Sequence, residues 1–123
     1  MANTINWFEI PASDFERAKK FYSTILNAEE LQTSEMMGIK MAFFPMEGEG
    51  VGGALCSGEG YTPSTGGTVP YLNGGKDLTT VLNRVETAGG KVIMPKTKIT
   101  DEIGYMAFFF DTEGNRIGLH SQN

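Results

Sequence analysis

Histidine, cysteine and tryptophan each occur once in these 123 residues. A single Cys56 excludes an intramolecular disulfide, and a reducing cytoplasm is the expected address. With only His120 available, a site rich in imidazole ligands is ruled out. Positive charge is scarce: 10 Lys and Arg stand against 15 Asp and Glu, a net charge of −5. Nucleic acid and anionic membrane surfaces demand a basic face, so neither is expected as a partner. No apolar run approaches the roughly eighteen residues of a membrane span, and no basic-then-apolar leader pattern opens the chain. Strand and helix do not alternate often enough for a doubly wound parallel sheet.

What the chain does have is the same order of elements twice. INWFEIPASDF leads into a helical stretch, as does TVPYLNGGKDL; Asp14-Phe15 and Asp77-Leu78 hold equivalent places. Each half then carries an apolar strand (MAFFP, MAFFF), a turn and a closing strand with glycine. The pattern predicts an α+β fold: two tandem βαβββ modules forming an open, cup-shaped mixed β-sheet with helices outside. One domain over 1–123 is expected, with module 1 at about 4–57, a linker at 58–67 and module 2 at about 68–123. In detail, strands are expected at 4–10, 29–35, 38–45 and 51–57, then at 68–73, 91–95, 105–110 and 115–121. Ser13 and Glu16 spell a capping box for a first helix ending near Leu26. Asp77 is the expected cap of the second helix and Gly89 its stop. PKTKITDEIG reads as a polar loop carrying Lys96 and Lys98.

With WFEIPASDFERAKKFY, YLNGGKDLTTVLNRVETAGGKV and DTEGNRIGLHS in place, the chain resembles the vicinal oxygen chelate superfamily, which includes glyoxalase I, bleomycin-resistance proteins and extradiol dioxygenases. Within it, the chain looks most like small proteins described as related to lactoylglutathione lyase. The resemblance implies a cup into which four His or Glu side chains would bring a divalent metal, one from a strand in each quarter. Here the first of those positions is Trp7, and the closing strand GVGGALC supplies no His or Glu. The third falls on Val69 or Pro70, and the fourth on Gly118. Such side chains donate nothing to a cation, so no metal ligands and no cofactor are assigned, and a divalent metal is disfavoured.

Alternation puts Glu9 on the face of Trp7 and His120 on the face of Gly118. If they approach each other, a carboxylate beside an imidazole suits proton transfer, so Glu9 and His120 are the catalytic candidates. Trp7, Glu9, Tyr71, His120, Cys56, Lys96 and Tyr105 are the candidate ligand-binding residues. One face of the runs Phe43-Phe44 and Phe108-Phe109-Phe110 should line the cup beside Met41 and Met106, and Tyr61 in the linker should close over it. The leading expectation is a small-molecule binding protein, a homodimer as the resemblance implies, with no metal site. A lyase or isomerase using Glu9 and His120, or an unexpected metal, is the alternative; a non-catalytic interaction subunit is the other.

Overall fold

The structure, a computed structural model, describes residues 3–123. Its elements run β1 (Trp7–Pro11), α1 (Phe15–Ile25), β2 (Thr33–Met36), β3 (Ile39–Phe43), β4 (Gly52–Ser57), β5 (Tyr71–Asn73), α2 (Thr79–Val85), β6 (Lys91–Thr100), β7 (Gly104–Phe110) and β8 (Arg116–Ser121). Two four-stranded sheets result, ordered β1-β4-β3-β2 and β5-β8-β7-β6. Each sheet is mixed: β1 lies parallel to β4 and β5 parallel to β8, while the remaining pairs are antiparallel. The duplicated βαβββ order expected from the repeat is therefore the observed one.

A single core joins the halves. Ala18, Phe21, Tyr22 and Ile25 form one stripe of α1, and Val81, Leu82 and Val85 the matching stripe of α2. Both stripes belong to one buried cluster with Ile10, Leu55, Phe109 and Leu119 from the two sheets. Phe21 makes the crossing visible: it starts in the first module and meets Phe109 of the second with ring centroids 5.9 Å apart. Gly90 permits that approach, since a Cβ there would lie 2.8 Å from the Phe21 ring. Burying each such ring contributes about 1.5–3 kcal/mol, so the seam between modules is a main source of stability.

Polar contacts then pin the register of the modules. Tyr22 Oη donates to Asp111 Oδ2 over 2.7 Å, and both residues are buried. Asn115 Nδ2 reaches the Pro11 carbonyl at 2.7 Å, and Arg84 reaches the Ile25 carbonyl at 3.1 Å. Glu113 collects Arg17 and the backbone N–H groups of Ser13 and Asp14.

Local signals need correction at four places. The cap of α1 is Asp14, whose carboxylate accepts from Arg17 N at 3.1 Å. Ser13 is drawn off instead, donating to Glu113 across the seam, and Glu16 pairs with Lys19. Asp77 accepts from Thr79 N, but α2 starts only at Thr79 and no side chain caps its N-cap residue, Leu78. The expected polar loop after residue 95 is mostly strand: β6 runs on to Thr100 and pairs with β7 through bulges, because half its residues need only a solvated outer face. The opening strands are shorter than 4–10 and 68–73, and Gly89, at φ +107°, does end α2's turn.

Candidate functional site

The helices cover one face of the sheets; the other stays open. Residues paired across neighbouring strands share a face, so the register gives its lining directly. In the first sheet Trp7 stands opposite Gly52, Glu9 opposite Ala54, Phe43 opposite Ala54, and Met41 opposite Cys56. In the second, Tyr71 stands opposite Gly118, Phe108 opposite Gly118, and His120 opposite both Asn73 and Met106. Phe44 and Phe109 have the other parity and are buried against the helices. The two Phe runs thus split between cup and core by alternation alone.

Two matching aromatic corners emerge. Trp7 meets Phe43 edge-on at 6.3 Å, and Tyr71 meets Phe108 edge-on at 5.5 Å. Each corner ring lies over a glycine. A Cβ on Gly52 would sit 3.2 Å from Trp7 Cζ3, and one on Gly118 would sit 2.7 Å from Tyr71 Cδ2. Any side chain larger than hydrogen at Gly118 would displace the Tyr71 ring. Between the corners, along the seam of β1 and β5, runs a cleft of about 1010 Å³ bordered by Trp7, Phe8, Glu9, Phe44, Pro70 and Tyr71. That is the size of cavity that takes a small organic molecule. Trp7 and Tyr71 are both about half exposed in it.

Glu9 is the polar centre of the first corner. Its carboxylate accepts from Tyr61 Oη at 2.7 Å and from Trp7 Nε1 at 3.3 Å. The linker therefore returns to the cup, and its second half is held by Ser64 N donating to Asn115 Oδ1 at 3.2 Å. The bond to Glu9, then burial, pushes the Tyr61 hydroxyl up to about 12. Cys56 lies fully enclosed beside them. Burial first, then the Glu9 charge, pushes its thiol up to about 12, so it stays protonated and is no nucleophile.

The expected approach of Glu9 and His120 does not occur among the described residues. His120 Nε2 contacts the Ile103 carbonyl, a contact that requires the ring proton on Nε2. His120 borders a neighbouring cavity of about 680 Å³ with Lys76 and Ile99; it shares Tyr71 and Asn73 with the cleft but not Glu9. The β6–β7 hairpin, longer than expected, brings Ile103 to the imidazole. Lys96 and Tyr105 also fall elsewhere. Tyr105 has the parity of Ala107 and Phe109, so it packs on the helix side, and Lys96 stands 4.6 Å over its ring while pairing with Asp77 at 3.0 Å. Neither reaches the cup. Arg116, unremarked as a site residue in the sequence, shares the face of Gly118, and its guanidinium lies 4.4 Å over the Phe108 ring. The alternation Arg116, Gly118, His120 along β8 was the signal available for it.

The register also settles the third family metal position between Val69 and Pro70. Met41 pairs with Cys56 and Met106 with His120, so Cys56 answers His120, Ala54 answers Gly118, Glu9 answers Tyr71, and Trp7 answers Val69 two residues before Tyr71. The four positions are then Trp7, Ala54, Val69 and Gly118. Their side chains offer no donor to a cation, and among the described residues no three His, Cys, Asp or Glu side chains converge as a ligand set. These residues do not fit a divalent metal.

Comparison with known proteins agrees with the geometry. The family model described as Glyoxalase/Bleomycin resistance protein/Dioxygenase superfamily matches residues 4–119. A Glyoxylase-like domain-containing protein of Didymella fabae is 32% identical over 123 positions, covering 90% of this chain and 88% of its own. Among solved structures, a glyoxalase/bleomycin resistance protein from Albidiferax ferrireducens T118 superposes with a TM-score of 0.74 at 14% identity, covering 98% of this chain and 100% of its own. Glyoxalase I from Zea mays superposes with a TM-score of 0.68 at 17% identity over 95% of this chain. The chain spans only 44% of that enzyme's length, and likeness at such identities is likeness of fold.

Proposed function

The chain belongs to the glyoxalase/bleomycin resistance protein/dioxygenase superfamily, and on that premise we propose that it binds a small planar organic molecule between Trp7 and Tyr71 without the metal of its catalytic relatives. One observation carries this reading: two half-exposed rings, Trp7 and Tyr71, lie over glycines and flank a cleft of about 1010 Å³. Rings at opposite walls of a cleft favour a flat apolar ligand, each stacked or edge-on contact being worth about 0.5–1.5 kcal/mol. Polarising a carbonyl or activating oxygen by the family's route needs donors that Trp7, Ala54, Val69 and Gly118 lack. Glu9 serves the site by orienting Trp7 and anchoring Tyr61.

The chain's only tryptophan sits in the proposed site, so its fluorescence reports occupancy without a label. Titration with N-phenyl-naphthylamine should change Trp7 emission saturably, and Tyr71→Ala should weaken that binding by about fivefold or more, as loss of one aromatic wall predicts. Elemental analysis of protein purified without chelator or metal-binding tag should find no stoichiometric transition metal. A saturating signal that ignores Tyr71, or one equivalent of metal, would overturn the reading. The two modules, at about 4–57 and 68–123, are taken to work as one cytoplasmic domain. A homodimer fits the apolar side chains left exposed at Met36, Met37 and Ile93, and sedimentation equilibrium giving a monomer would remove that part.

A further inference from the structure

We infer that the molecule held between Trp7 and Tyr71 is an aromatic anion, a ring carrying a carboxylate or sulfonate, and that Arg116 is the group that selects it. The inference rests on the binding reading above and names the chemistry of its ligand.

The three arginines of the chain have different fates. Arg17 forms an ion pair with Glu113 at 2.8 Å, and Arg84 donates to the Ile25 carbonyl. Arg116 has no ion-pair partner among the described residues. Its guanidinium is instead spread over the Phe108 ring, 4.4 Å from the centroid, and Phe108 is the ring that meets Tyr71. Stacking uses the face of a guanidinium and leaves its N–H edge free, and that edge matches the two oxygens of a carboxylate or sulfonate.

Place and charge agree with this role. Arg116 borders a small cavity of about 230 Å³ together with Glu9, Thr68 and Pro70. Those three residues also border the larger cleft, so the two spaces adjoin. A ring lying between Trp7 and Tyr71 that points its substituent toward Thr68 and Pro70 would bring it to Arg116. The nearest carboxylate of the cup, Glu9, forms no ion pair with Arg116 and is already engaged by Trp7 and Tyr61. A chain of net charge −5 repels anions at large, so a preference for an anionic ligand has to come from a local cation.

Anilinonaphthalene sulfonate and N-phenyl-naphthylamine share a ring system and differ by the sulfonate, which makes them the test pair. Both are titrated against the full chain by Trp7 fluorescence at low salt. The sulfonate should bind at least about tenfold tighter, the size expected of a charge-assisted bidentate contact. Arg116→Gln should bring that ratio to about one. Equal affinities in the unmodified protein, or a ratio that survives Arg116→Gln, would overturn the inference and leave the binding reading standing. No response to either probe would overturn both. Should Arg116→Gln melt far below the parent, the salt dependence of the parent's ratio decides. It should shrink as ionic strength rises, and a ratio indifferent to salt refutes a charge contact.

Discussion

Adding one methyl group to Gly118 should cost binding more than stability. A Cβ built there lies 2.7, 2.8 and 2.9 Å from Cδ2, Cε2 and Cγ of Tyr71. Carbon atoms at rest sit about 3.5–4.0 Å apart, so the ring must retreat by roughly 1 Å. It has room, being 49% exposed at the open face. The penalty is an off-rotamer ring and a weakened edge contact with Phe108, about 1 kcal/mol in all, partly offset by the stiffer unfolded chain that alanine brings. Gly53→Ala is the contrast. Its Cβ would lie 2.3–2.6 Å from the Phe8 ring, which is half-buried and held by stacking at 5.3 Å on Phe44. Overpacking of that kind costs about 1–3 kcal/mol, or on the order of 10 °C in Tm at the upper end for a chain of this size. Thermal melts followed by circular dichroism should rank the parent above Gly118→Ala and that above Gly53→Ala. Fluorescence titration with N-phenyl-naphthylamine should find Gly118→Ala weakened about fivefold. Gly118→Ala with parental affinity, or with the larger stability loss of the two, would refute the account of rings seated on glycines.

Two further outcomes follow from the seam between modules. Tyr22→Phe removes the 2.7 Å bond to the buried Asp111 carboxylate and should lower unfolding free energy in urea by about 1.5–3 kcal/mol, the range for hydrogen bonds to charged groups; a change within error would mean that Asn115 alone satisfies Asp111. Burial raises the Glu113 carboxyl, but Arg17, Asp14 N, Thr112 and Ser13 together outweigh it and hold the group at about 2, below its ordinary 4.5. A depressed folded pKa stabilises above the unfolded value and loses that contribution as pH falls toward the folded one. Parent stability should therefore decline below about pH 4.5, and its advantage over Glu113→Gln should shrink steadily toward pH 2 in denaturant melts; a constant gap would show that charge at Glu113 is immaterial.

Much of the architecture was legible because it depends on period and repetition. The apolar stripe Ala18, Phe21, Tyr22, Ile25 and the two-residue alternation of β1 and β8 are local patterns, and the duplicated order of elements is visible in the letters. Where local signals competed with distant partners they failed. Ser13 looked like a cap, but Glu113, a hundred residues away, took its hydroxyl and its N–H. Lys96 and Tyr105 looked like a gate over the cup, but the bulges of β6 leave the pairing intact and carry both to the helix side.

The site divides in the same way. Trp7 and Gly118 could be marked from the chain alone, since a ring and a glycine stand where the resemblance expects ligands. Which residue answers Trp7 in the second module could not, because Val69 and Pro70 differ by one step and one step changes the face of the sheet. Pairing of Met41 with Cys56 and of Met106 with His120 decided for Val69. Nor could spacing show that Glu9 would meet Tyr61 instead of His120, or that Arg116 would rest on Phe108 with its edge free. Those outcomes depend on how two sheets and a returning linker sit in space, whereas the strands and helices themselves follow from neighbours along the chain.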